Sequence, residues 1–271
     1  MARLAALRHG LEFPYVEQGD PDGVPVVLLH AWVDSRRCFD RVMAVLPELV
    51  HAFAFDQRGH GDAPKPSDGY ALEDFADDVG EFMDAVGLDA AVLAGASSGG
   101  YVAQRFAVDN PGCTLGLALV GSPRSLRGPR PPFADLLARL DDPIDASLAR
   151  ELTEGMVAHD VPNAVMATLC EENLKAPARV WRDAFEGLLA ADPPLDSGRI
   201  SAPTVIIWGA RDTLLPRGDQ EVMASEIPGA RFVVYPDVGH LPVIEAPERV
   251  SADITALCQT VGSLDVSTRP T

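Results

Sequence analysis

The chain predicts an α/β protein with a mostly parallel sheet, helices on both faces, and one helical insertion. Three observations carry this reading. Short continuous apolar runs, such as Val24 to His30 (VPVVLLH), suit strands buried on both faces. Segments with helical spacing alternate with those runs, as expected for a parallel sheet covered on each side. Between Ser122 and Arg199 the alternation stops, and helical patterns follow Pro123, Pro129, Pro131, Pro132 and Pro143 without a clear strand. The expected division is therefore a core of residues 1–121 and 200–271 and a helical cap of residues 122–199.

Taken in order, Leu11 to Glu17 alternates loosely and is expected as an edge strand, with Val24 to His30 as a buried one. Cys38 to Leu49 places Phe39, Val42, Met43 and Leu46 at helical spacing, and His51 to Phe55 reads as a short strand. Asp56-Gln57-Arg58-Gly59-His60-Gly61-Asp62 is punctuated by glycine and reads as a loop. Leu72 to Val86 aligns Phe75, Val79, Phe82, Met83 and Val86 on one helix face, with Gly87 as its C-cap. A short apolar run from Ala91 to Ala94 precedes a helix that starts near Ser98 and ends at Asn110-Pro111-Gly112. Leu115 to Val120, Pro203 to Trp208 and Arg231 to Tyr235 are further strands, and Pro247 to Leu257 is a closing helix. The polar tail from Gly262 to Thr271 is expected to fray. No internal repeat is visible.

Composition narrows the function classes. A length of 271 residues suits one α/β domain with an insertion, or at most two small domains. With 40 acidic against 22 basic residues, the net charge of −18 disfavours nucleic acid and anionic membranes as partners, since both need a basic face. No uncharged apolar stretch reaches the roughly 18 residues of a membrane span. The first residues lack a signal-peptide pattern, so a cytoplasmic location is expected. Cys38, Cys113, Cys170 and Cys258 are scattered without a C-x-x-C pair, so neither metal ligation nor a disulfide framework is expected. No cofactor is implied, and the oligomeric state is left open.

Gly95-Ala96-Ser97-Ser98-Gly99 has G-x-S-x-G spacing between strand and helix. Such a turn lifts a serine hydroxyl off the strand end, and the next helix points its N-terminal N–H groups at the same spot. A looser register centres on Ser98; Ser97 is preferred because it sits at the turn itself. A serine hydroxyl needs a base within hydrogen-bond reach, and the base needs an orienting partner. Gly209-Ala210-Arg211-Asp212 follows one strand and Gly239-His240 follows another. In a parallel sheet these loops share the carboxyl end with Ser97, and Ser97, Asp212 and His240 stand in the order Ser, Asp, His. Asp237 is a rival acid, set aside because it lies so near His240 in sequence.

With these motifs the chain resembles the α/β-hydrolase superfamily, serine esterase and lactonase type. The resemblance runs from about Leu11 to Leu257 apart from the cap. It rests on LLHAW (Leu28 to Trp32), DQRGHG (Asp56 to Gly61), GASSGG (Gly95 to Gly100), WGARD (Trp208 to Asp212) and GHLPVIEAPE (Gly239 to Glu248). It implies Ser97 as nucleophile, His240 as general base and acid, Asp212 as orienting carboxylate, and the backbone N–H groups of Trp32 and Ser98 as oxyanion hole. Two departures stand out. Ala31 follows His30 where relatives often have glycine, which restricts the backbone carrying the Trp32 N–H. Ala96 precedes the nucleophile where relatives often have histidine. DQRGHGD (Asp56 to Asp62) and AQRFAVDNP (Ala103 to Pro111) are also similar to small esterases that open macrolide lactones.

His30 is expected to fix the oxyanion loop, and His30, Ala31 and Trp181 are candidate pocket residues. Asp56 and Arg58 are expected to hold their loop by an ion pair, with His60 structural. His159 lies in the cap, within possible reach of the site. A cap carrying Leu137, Met156, Met166, Trp181, Phe185 and Leu188 suggests a dry, roomy apolar pocket, hence a hydrophobic small-molecule ester or lactone. Other chemistries using the same residues are perhydrolysis and C–C bond hydrolysis. A slow-turnover ligand receptor is the reading from a different class.

Overall fold

The computed structural model describes residues 2–268, and the side chains of all but residues 132 and 264–268 within them. Eight strands form one sheet: β1 (Arg3–Ala6), β2 (Glu12–Gln18), β3 (Val24–Leu29), β4 (Val50–Phe55), β5 (Ala91–Ala96), β6 (Thr114–Val120), β7 (Thr204–Gly209) and β8 (Arg231–Tyr235). Their spatial order is β1-β2-β4-β3-β5-β6-β7-β8. β1 and β2 pair antiparallel to their neighbours, and β3 to β8 are parallel. The expected α/β architecture is observed.

The apolar runs explain why both faces are covered. Successive strand side chains point to opposite faces. Val27, Leu29, Phe53, Phe55, Leu93, Leu117 and Leu119 join one buried cluster; Val26, Leu28, Ala52, Ala54, Val92, Ala94 and Val120 join the other. α1 (Asp40–Met43) and α11 (Pro247–Thr268) cover the second cluster; α2 (Leu72–Val86) and α3 (Ser98–Asp109) cover the first. Between β6 and β7 lie α4 (Pro132–Leu137), α5 (Ala146–Glu154), α6 (Asn163–Asn173), α7 (Ala178–Ala190) and α8 (Pro194–Ser197), with no strand among them. α9 (Arg217–Glu226) links β7 to β8, and α10 (Pro242–Glu245) precedes α11.

Four elements differ from the sequence-based expectation. β2 is not an edge strand, because the four-residue β1 pairs along its outer side. The helix expected over Cys38 to Leu49 reduces to a 3-10 turn (Arg36–Phe39) and the four-residue α1, which bury Cys38, Phe39, Val42 and Met43. α9 carries only Gln220 and Met223 as buried residues, too little apolar periodicity to mark a helix. α11 continues through Thr268, past the expected fraying point at Gly262; residues 269–271 lie outside the described residues. Among the described residues no helix is long and apolar enough to cross a membrane.

The loop after β4 is held by two separate ion pairs. Asp56 is paired with Arg36 and accepts from the Asp62 N–H at 2.9 Å. Arg58 instead reaches α2, where its Nη2 donates to Asp78 Oδ1 at 2.6 Å, and its Nε donates to Oδ2. Asp56 and Arg58 therefore each hold the loop, but not through one another. Asp78 is 1% exposed and Arg58 8%, so removing the carboxylate leaves a buried guanidinium with only Gly69 O at 2.7 Å and the Asp74 carboxylate at 4.0 Å. Asp78→Ala is expected to cost about 3–5 kcal/mol, measured by urea unfolding; a change within experimental error would refute it.

Candidate active site

The site lies where the sheet changes winding direction. From β3 the chain moves to β4 on one side and then returns to β5 on the other. The loops leaving β3 and β5 therefore diverge and leave a crevice at the carboxyl end of the sheet. Leu29 and Gly95 are paired in register, so the segment His30-Ala31-Trp32 and the Ser97 turn begin at the same level.

Ser97 has φ 49° and ψ −120°, a left-handed strained conformation between β5 and α3. Its N–H donates to Val120 O at 2.8 Å, which ties the turn to β6. The turn closes only because its neighbours are small. A Cβ on Gly95 would stand 2.3 Å from Gly100 N, one on Gly99 2.2 Å from Leu29 O, and one on Gly100 1.7 Å from Ser122 Oγ.

The three residues expected to act together meet. Ser97 Oγ lies 3.0 Å from His240 Nε2, and His240 Nδ1 lies 2.8 Å from Asp212 Oδ2. Asp212 Oδ1 accepts from the N–H groups of Leu214 and Leu215 at 2.7 and 3.0 Å, which fixes the carboxylate plane. The Asp212 side chain is fully buried and that of His240 is 5% exposed. With Nδ1–H donated to the carboxylate, Nε2 presents its lone pair to the serine hydroxyl. Asp237 is exposed and paired with Arg249 at 2.8 Å, away from His240.

His240 is braced from behind by a residue whose role the sequence did not signal. The buried Glu245 carboxylate accepts from the N–H groups of Gly239 (2.9 Å) and Ala158 (2.8 Å). It also lies 3.0 Å from His159 Nδ1, so His159 docks on Glu245. The His240 N–H donates to Met156 O at 2.8 Å. The loop between α5 and α6 thus supports the histidine loop directly.

On the β3 side, His30 is held in one neutral tautomer. Its Nδ1–H donates to Ala31 O at 2.8 Å, and its Nε2 accepts the Gln57 N–H at 2.9 Å. Burial pushes its pKa down to about 4, and burial with the nearby His30 ring pushes His60 down to about 3. His60 Nδ1–H donates to Arg58 O at 2.7 Å. Ala31 does not adopt a left-handed backbone; that conformation falls on Val33, at φ 56°. A β-branched residue there is strained by about 1–3 kcal/mol, held by its burial in the surrounding core. The Trp32 N–H donates to the hydroxyl oxygen of Ser98, the residue after Ser97, at 2.6 Å.

Helices α4 and α7 meet the loop after β3 as an aromatic wall. The Trp32 ring packs on Phe133, Trp181 and Phe185 at 5.7, 5.4 and 5.1 Å, and its Nε1–H donates to Trp181 O. Trp181 is fully buried, so it supports Trp32 instead of facing a ligand. His30 and Ala31 line a cavity of about 20 Å³ with Trp32, Gln57, His60 and Ser98. Among the described residues no group of three or more His, Cys, Asp and Glu side chains is arranged to hold a metal ion.

The chain is similar to known proteins in sequence and in fold. A model of the alpha/beta hydrolase family matches residues 26–253. The pimeloyl-[acyl-carrier protein] methyl ester esterase of Chromobacterium violaceum is 32% identical over 235 residues, covering 82% of this chain and 89% of that protein. A non-heme chloroperoxidase of Streptomyces lividans is 27% identical over 269 residues, covering 91% and 96%. Among solved structures, a thermophilic esterase from Thermogutta terrifontis superposes with a TM-score of 0.85 at 26% identity, covering 96% of this chain and 99% of that one.

Proposed function

The chain belongs to the α/β hydrolase family, and from that premise we propose that it is a serine hydrolase of carboxylic esters or lactones of hydrophobic small molecules. The observation that carries this reading is the hydrogen-bonded line Ser97 Oγ–His240 Nε2 and His240 Nδ1–Asp212 Oδ2, at 3.0 and 2.8 Å. Ser97 Oγ attacks the carbonyl carbon as His240 Nε2 takes its proton, and Asp212 stabilises the imidazolium so formed. The oxyanion is held at the Ser98 and Trp32 side of the turn, where each donor is worth about 3 kcal/mol. The histidine then returns the proton to the leaving alkoxide, and water, deprotonated by the same nitrogen, releases the acid and regenerates Ser97. Residues 122–199 act as a cap over a core of residues 1–121 and 200–271.

The half-buried rings of Trp32, Phe133 and Phe185 favour an apolar acyl or alcohol group. The similarity of Asp56 to Asp62 and Ala103 to Pro111 to macrolide esterases makes a macrolide lactone one candidate. The test is a fluorophosphonate probe followed by peptide mapping, then an ester and macrolide panel read by mass. One adduct on Ser97 and a product heavier than a lactone substrate by one water are expected. An adduct elsewhere, or none, overturns the assignment of the nucleophile. The likeness to the Streptomyces chloroperoxidase favours perhydrolysis as a second reading, and hydrogen peroxide with a carboxylic acid is its assay.

A further inference from the structure

An oxyanion hole built from the Trp32 and Ser98 N–H groups meets an obstacle in this chain. The Trp32 N–H is already engaged by Ser98 Oγ, at 2.6 Å. That oxygen therefore stands where an oxyanion bound to the Trp32 N–H would have to stand. The Ser98 N–H opens α3, where the first turn has no intrahelical acceptor. Ser98 is 8% exposed, so its hydroxyl is not one of many water-bathed serines.

We propose that the Ser98 hydroxyl is itself the second oxyanion donor, with the Trp32 N–H acting through it. A hydroxyl has one proton and two lone pairs. Trp32 occupies one lone pair, which fixes the oxygen and leaves the proton to point at the developing charge. An N–H donated to a hydroxyl oxygen polarises its O–H bond, so each link strengthens the next. The oxyanion then receives two hydrogen bonds from one residue, Ser98 N–H and Ser98 Oγ–H. The proton stays on Ser98 Oγ throughout; only hydrogen bonds form and break, and Ser97 and His240 carry the proton transfers. This arrangement also accounts for Ala31. The Trp32 N–H need only reach a fixed neighbouring oxygen, so the loop does not require the backbone freedom of glycine.

The alternative is that Ser98 Oγ is a placeholder that swings aside when substrate enters. Gln57 Oε1 and His60 Nε2 are buried acceptors without a protein partner, on the wall of the small cavity that Ser98 also lines. A rotated Ser98 hydroxyl could turn toward them. The two mechanisms differ in sign. If Ser98 donates, Ser98→Ala lowers kcat about 100-fold, as loss of one oxyanion donor does, with KM little changed. If Ser98 is a placeholder, Ser98→Ala uncovers the Trp32 N–H and kcat is unchanged or rises.

The proposal rests on Ser97 being the nucleophile, and the experiment separates the two claims. Ester hydrolysis and affinity for a trifluoromethyl ketone, which forms a tetrahedral adduct with the nucleophile, are measured for the native chain and for Ser97→Ala, Ser98→Ala, Ser98→Thr and Ser98→Cys. Expected are equal fractional losses of kcat and ketone affinity in Ser98→Ala, recovery in Ser98→Thr, and a loss in Ser98→Cys, whose thiol keeps the shape but donates poorly. Recovery by threonine without recovery by cysteine separates donation from mere filling of the position. Full activity in Ser98→Ala alongside an inactive Ser97→Ala overturns the role of Ser98 alone. Retained activity in Ser97→Ala overturns the nucleophile assignment instead.

Discussion

Ser97→Ala is expected to lower kcat by about 10⁶-fold and Asp212→Asn by about 10⁴-fold, with KM for a simple aryl ester nearly unchanged in both. The two losses have different causes. Alanine at 97 removes the hydroxyl proposed to attack. Asparagine at 212 keeps the fold of its loop, because its carbonyl oxygen still accepts the Leu214 and Leu215 N–H groups, at present 2.7 and 3.0 Å from Oδ1. Its amide nitrogen then faces His240 Nδ1, where Oδ2 now stands at 2.8 Å. Two donors cannot share that bond, so the imidazole switches tautomer, Nε2 carries the proton, and the ring can no longer take one from Ser97. Steady-state rates and urea unfolding are measured together. An Asp212→Asn protein as stable as the native chain and equally active would remove Asp212 from the mechanism.

Gly99→Ala destabilises the protein by more than about 3 kcal/mol and abolishes labelling of Ser97 by a fluorophosphonate. The added Cβ meets Leu29 O at 2.2 Å, His30 O at 2.5 Å and Leu29 C at 2.7 Å. All three are backbone atoms of β3 and the loop that follows it, so no side chain can rotate to make room. Either α3 moves off the sheet or the His30-Ala31-Trp32 segment is displaced, and both outcomes separate Ser97 from the proposed oxyanion donors. Gly112→Ala, with nothing within 4 Å of its Cβ, is the control and is expected near native. A Gly99→Ala protein that melts and labels like the control would show that the turn tolerates relaxation.

How much of this was legible in the sequence depends on which atoms do the work. The Ser97 turn was readable because the requirement for small residues falls on side chains: Gly95, Gly99 and Gly100 are where a Cβ would collide. Asp212 and His240 were readable because each follows an apolar strand, and parallel strands bring their ends to one edge. The short strand β1 was not, since only Ala5 of its four residues is buried and no alternation can show. The bracing of His240 by the loop between α5 and α6 was not readable either. It uses Met156 O and Ala158 N, and backbone atoms leave no mark on residue type. Glu245 stood in a motif but its role depends on those partners. The left-handed Val33 runs against its residue type, so local propensity pointed away from it. The packing of Trp181 under Trp32 was not readable either, because aromatic residues between β6 and β7 can pack on Trp32 as readily as they can line a pocket.

Ser97 and His240 lie 143 residues apart, and the histidine follows β8, the last strand among the described residues and one edge of the sheet. On a ribosome adding about 5–20 residues per second, some 7–30 s separate the two. Throughout that interval Ser97 is an ordinary alcohol with no base beside it. If Ser97 and His240 act together as proposed, a chain truncated ahead of β8 is expected to leave Ser97 unlabelled by a fluorophosphonate.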